Sequence, residues 1–148
     1  MQKLIIALLL IASFSNGFAA ETESLVIRSA DKQHLFSVEV VSTPQARADG
    51  LMYRTSLPAD GGMLFNFGKT EPVSMWMKNT AIPLDMLFIR ADGTITNIAE
   101  RTVPQSLTPV AASEPVPFVL EINGGVSARL GIRAGDKAQH PLFGTKNE

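Results

Sequence analysis

Two short segments constrain this chain more than anything else in it. Ile82 to Ile89 is apolar on both alternations: Ile82, Leu84, Met86 and Phe88 share one face, and Leu87 and Ile89 the other, interrupted by Asp85. Val116 to Asn123 repeats the pattern, with Glu121 set among Val119, Leu120 and Ile122. A strand that is apolar on both faces needs cover on both, so each segment predicts a central position in a sheet. Neither acid can be turned toward solvent without exposing large apolar neighbours. A buried carboxylate needs donors or must give up its charge. The candidate donors near in sequence are Arg54, Lys78, Asn79 and Thr80.

The remaining segments read as partners for these two. Leu25 to Ile27 and His34 to Val41 predict paired strands, the second alternating Phe36, Val38 and Val40 against Ser37 and Glu39. Thr43-Pro44 opens a short helix, because Thr accepts from the first-turn N–H groups and Pro suits the first helical position. Gly50 closes it. Met63 to Phe67 and Val73 to Lys78 predict further strands, the latter with Met75 and Met77 on one side and Trp76 and Lys78 on the other. Asp92-Gly93 marks a hairpin returning through Thr94 to Ala99. Residues 101–117 hold four prolines and read as a long surface loop. Val126 to Leu130 predicts a helix stopped by Gly131, and Lys137 to His140 a last strand. Short strands, frequent turns and two short helices predict a mostly β fold, an antiparallel sandwich or barrel.

The chain's address is read from its start. Lys3 precedes an uncharged run from Leu4 to Ala12, and Gly17-Phe18-Ala19 carries small residues where a signal peptidase cuts. The run is shorter than the roughly 20 apolar residues a span requires. Residues 1–19 are therefore expected to be a signal peptide cleaved near Ala19 or Ala20, leaving one β-rich domain over 24–142 and a flexible tail over 143–148. The expected location is periplasmic or secreted, with no membrane association after cleavage. The chain has no cysteine, so disulfides, thiolate metal sites and thiol nucleophiles are excluded. Its 13 basic and 14 acidic residues are interspersed, which argues against nucleic acid as a partner.

Several blocks in register resemble one family. Gly50-Leu51-Met52 with Arg54 and Leu57, Gly62-Met63-Leu64-Phe65, Trp76-Met77-Lys78-Asn79-Thr80 and Ile82-Pro83-Leu84-Asp85 are similar to signature blocks of the domain of unknown function 192 family. Val119-Leu120-Glu121, Gly124-Gly125, Gly131 and Gly135-Asp136 resemble its C-terminal blocks. The likeness covers roughly residues 25 to 140. It implies a jelly-roll-like, often exported β domain and carries no activity with it.

The chemistry is correspondingly open. The leading expectation is a binding or interaction module, for a small molecule or an exported protein, with a candidate site of Arg54, Trp76, Lys78, Asn79, Asp85 and Glu121. A small hydrolase or lyase using Asp85 or Glu121 as acid or base is the second reading. Cu(I) capture by Met75 and Met77, helped by Met63 or Met52, is a third, since thioethers suit soft metals; adaptable core packing is the plainer role for those methionines. No cofactor is expected, because phosphate loops, dinucleotide fingerprints and nucleophile elbows are absent.

Overall fold

The doubly apolar segments form strands paired to one another. The computed structural model describes residues 20–144; the signal peptide expected over 1–19 and most of the expected tail lie outside them. In chain order the strands are β1 (Glu23–Ser29), β2 (Lys32–Val41), β3 (Gly61–Glu71), β4 (Ser74–Met75), β5 (Leu84–Ile89), β6 (Ile95–Ala99), β7 (Val110–Ala111), β8 (Val116–Asn123) and β9 (Lys137–Gln139). Helix α1 (Pro44–Asp49) follows β2, and α2 (Val126–Leu130) follows β8. The main sheet runs β6-β5-β8-β3-β2-β1-β9 and curls into a half-barrel, while β4 and β7 form a small second sheet. All six residues of β5 and the first seven of β8 are buried, as double-sided apolarity demands.

The curl brings the sheet's edges together at one end. Thr94, entering β6, bridges Lys137 of β9, and Ala138 N–H donates to Gly93 C=O at 2.8 Å. Leu25, Ile27, Phe36, Leu64, Leu87, Leu120 and Ile122 fill the inside of the curl, with Val126 of α2 at its end. Leu51, Met63, Phe65, Val73, Met77, Ile82, Met86, Phe88 and Val119 form a second core on the outer face. The helix α1 connection, β4, β7 and the proline-rich loop cover that outer core.

Local chemistry explains the elements. Thr43 Oγ1 accepts from Ala46 N–H at 3.1 Å and Pro44 starts α1. Gly62 lets β3 approach β8, since a Cβ there would sit 2.8 Å from Glu121 C=O. The mostly β architecture with two short helices is as expected, and three details differ. The β2–β3 pair is parallel within an otherwise antiparallel sheet, because the 42–60 connection carrying α1 crosses over rather than turning back. Only Ser74–Met75 of the expected Val73–Lys78 strand pairs, since its partner β7 lies in a loop where prolines remove ladder donors. That loop is also not purely superficial: Thr102 is buried, and its hydroxyl donates to Leu84 C=O at 2.9 Å. At the other end, Phe143 meets Phe118 edge-on at 4.8 Å and Gly144 N–H donates to Ala91 C=O. No helix among the described residues is long and apolar enough to cross a membrane.

Candidate functional site

The pleat of the sheet decides what the two buried acids can do. In the β5–β8 ladder Asp85 stands opposite Ile122, while Glu121 stands opposite Met86. Cross-strand partners share a face, so the carboxyls point to opposite sides of the sheet. The structure buries both, as their apolar neighbours require, but does not bring them together.

Asp85 points to the inner side and meets only backbone. Its Oδ1 accepts from Arg101 N–H at 2.8 Å and Gly125 N–H at 2.9 Å. Its Oδ2 accepts from Ser127 N–H at 2.9 Å. Gly125, the N-cap of α2, has no side chain to offer, so a carboxylate from the neighbouring strand caps the helix and pins the Arg101 turn.

Glu121 points to the outer side and meets no donor. The residue is 4% exposed, yet its carboxyl has no hydrogen-bond or ion-pair partner among the described residues. Burial alone pushes its pKa from 4.5 up to about 8. Met63 and Met86 flank it in the ladder. In front of it lies a small chamber of about 40 Å³, bounded by Met52, Phe65, Met75, Trp76, Lys78 and Thr80, with the Arg47–Leu51 stretch as its far wall.

The other expected site residues divide around this chamber. Trp76 and Lys78 border it, with Lys78 Nζ lying 5.1 Å from the Trp76 ring centroid rather than paired to an acid. Asn79 belongs to the rim: its Nδ2 donates to Tyr53 Oη at 2.9 Å, and Tyr53 N–H donates to Asn79 C=O at 2.8 Å. Arg54 stands apart, forming a two-pronged pair with Glu39 at 2.6 and 2.8 Å. That pair holds the Glu39 carboxyl below its ordinary value, through hydrogen bonding first and charge second, against burial. Met77 is buried in the outer core, its sulfur 3.2 Å from the Thr102 hydroxyl oxygen. Phe65 and Tyr53 were not named as site residues from the sequence; Met52 was named only as a helper to Met75 and Met77, and the chain reversal after Gly50 hinted that it folds back toward the core.

Backbone strain collects on the same side. Apart from Ala30 in the β1–β2 turn and Arg101, whose turn Asp85 pins on the inner side, the described non-glycine residues with positive φ are Tyr53, Asn79 and Gln105. Their segments are laced together: Gln105 N–H donates to Thr80 C=O and Met77 N–H to Ser106 C=O. Such conformations persist only where surroundings enforce them, and they cluster at functional sites. Tyr53 and Trp76, 80% and 48% exposed, stand on this rim, with exposed Val103 and Leu107 on the adjoining loop. No group of three or more His, Cys, Asp or Glu that could hold a metal occurs among the described residues.

Fold and site together define a class: a small domain built on a curled sheet, with a small, partly open chamber beside a buried acid on its outer face. The chain belongs to the domain of unknown function 192 family, DUF192, described as "Uncharacterized ACR", whose model matches residues 25–140. It is similar to a crystal structure from Sinorhizobium meliloti 1021 described as a "putative transcription regulator", with 48% identity and a TM-score of 0.78, covering 80% of this chain and 92% of that one. It is also similar to a protein of unknown function from Novosphingobium aromaticivorans DSM 12444, with 40% identity and a TM-score of 0.78, covering 80% of this chain and 85% of that one. No curated protein matches the chain.

Proposed function

We propose that this protein is an exported binding module that seats a small ligand, or the end of a larger one, in the Glu121 chamber. The single observation behind the reading is a carboxyl that is 4% exposed, has no partner among the described residues, and faces a chamber. Desolvating a polar group without a bond costs about 1–3 kcal/mol. A ligand that supplies the missing contact recovers that loss. Tyr53, Trp76 and Lys78 at the mouth add ring faces and a charge for the part that stays outside. Asp85 is a structural cap in this reading and takes no part.

A second reading, acid catalysis, is favoured by one feature: a carboxyl that keeps its proton at neutral pH suits a general acid. It ranks below binding because Asp85, the other expected acid, lies behind the sheet. The description of the Sinorhizobium relative does not extend to this chain, whose formal net charge of −1 provides no phosphate-tracking surface.

A thermal-shift screen of ions, amines and polar metabolites tests the binding reading. At least one compound is expected to raise the Tm of the wild type and to lose that effect in both Glu121→Gln and Trp76→Ala. A screen in which every stabilising compound acts equally on all three proteins would defeat it. The address is tested separately, by mass spectrometry of the exported protein; the expected first residue is Ala20, and an intact Met1 in the envelope fraction would refute cleavage.

A further inference from the structure

We propose that the chamber is a site for a soft monovalent metal ion, Cu(I) or its analogue Ag(I), held by the Met52 and Met75 thioethers beside the Glu121 carboxyl. The inference rests on the reading of the chamber as a binding site and names its occupant.

The distribution of methionine is the first support. The chain has 6 methionines, and Met1 lies outside the described residues. The inner core contains Leu, Ile, Val, Phe and Ala, and no methionine. Met63, Met77 and Met86 lie in the outer core, Met75 packs against it, and Met52 lines the chamber. Methionine used as a flexible filler would serve either core. Its confinement to the face that carries Glu121 calls for a cause on that face.

Size and chemistry narrow the occupant. About 40 Å³ has room for an ion or a water and is too small to enclose a drug-sized molecule. Thioethers are soft ligands that select Cu(I) among biological metals. They form no disulfides, so they remain available in the oxidising compartment to which the leader directs the chain. A bound cation displaces the Glu121 proton to solvent, and the carboxylate left behind supplies the negative charge a buried cation requires. Lys78, which also borders the chamber and lies over the Trp76 ring at 5.1 Å, is a like charge that the Glu121 carboxylate has to offset. Met77 is left out of the ligand set because it is buried in the outer core and does not line the chamber, whereas Met52, whose sulfur lies 4.0 Å from Asn79 Nδ2, does.

Anaerobic titration of Cu(I) against a chromogenic chelator, repeated with Ag(I) by calorimetry, tests the assignment on the purified chain. One ion should bind per chain, with a Kd of about 1 μM or tighter. The Met52→Leu/Met75→Leu double variant, which conserves volume, should weaken binding at least about a hundredfold. Met77→Leu should stay within about twofold of wild type. Methyl NMR should show the Met52 and Met75 resonances moving with metal while Met77 does not. Circular dichroism on each variant separates ligand loss from unfolding. Equal affinity of wild type and folded double variant overturns the proposal, as does a shift confined to Met77. If Cu(I) fails while the thermal-shift screen yields another Glu121-dependent ligand, the metal assignment falls and the binding reading stands; failure in both removes both.

Discussion

Replacing Glu121 by Gln should change how stability depends on pH, in a window set by the buried carboxyl alone. In the folded protein this group keeps its proton up to about pH 8, against an ordinary value of 4.5 that the unfolded chain retains. Between those values the folded state holds a proton the unfolded state has released. Stability therefore falls as pH rises. The contribution is fully present below pH 4.5, declines through neutrality, and is lost once pH passes about 8. The window spans about 3.5 pH units, and each is equivalent to about 1.36 kcal/mol, so the wild type should lose about 5 kcal/mol across it. About 3 kcal/mol of that is gone by pH 7. Gln keeps the shape and cannot ionise, so its profile should lack this slope. Urea denaturation of both proteins from pH 4.5 to 9 measures the difference directly. Acid-side losses from Glu39, Glu114 and Asp92, all held below their ordinary values by their partners, are common to both proteins and cancel. Parallel profiles between pH 5 and 8 would show that Glu121 has found a donor or water, and the argument from its isolation would be refuted.

Two further perturbations probe the frame around the chamber. Asp85→Ala leaves the N–H groups of Arg101, Gly125 and Ser127 without their acceptor; a loss of about 3–5 kcal/mol in urea denaturation is expected, and a loss below about 1 kcal/mol would show that the cap is dispensable. Gly93→Ala would place a Cβ 2.2 Å from Ala138 C=O at φ +90°, whereas Gly135 has φ +93° and open space. Gly93→Ala should therefore cost about 3 kcal/mol or more and Gly135→Ala only about 1, and equal losses by the same assay would mean that the β6–β9 closure is not tight.

How much of this was legible in the sequence depends on whether a feature is local. Helix α1 was readable because Thr43, Pro44 and Gly50 each satisfy a requirement of their own turn. Strand β8 was readable to its ends because both alternations are apolar and Gly124-Gly125 stops them. Burial of Asp85 and Glu121 followed from the same local pattern. Their separation did not, because the side a residue takes relative to a neighbouring strand is a matter of register, set by pairing between distant segments. The partner of Arg54 was hidden for the same reason: Glu39 lies on β2, and only the parallel crossover of β2 and β3 brings the two together. The outer cover was the least readable, since β4 pairs for two residues and takes the rest of its order from side-chain and backbone bonds to a proline-rich loop.

The two acids divide the labour of the sheet between its faces. On the inner face the carboxylate meets three N–H donors, so its charge is spent on holding a helix start and a turn, and nothing remains for a ligand to satisfy. On the outer face the carboxyl meets none, and the features that a purely structural acid would not require gather there: the strained turns at Tyr53, Asn79 and Gln105, the exposed rings of Tyr53 and Trp76, and every described methionine. A fold under selection for stability alone would replace Glu121 with an apolar residue, because removing an unpaired buried polar group is neutral or favourable. Isolation of that carboxyl is thus the physical reason to place function on the outer face, and the same reasoning assigns Asp85, equally buried but fully bonded, to the scaffold.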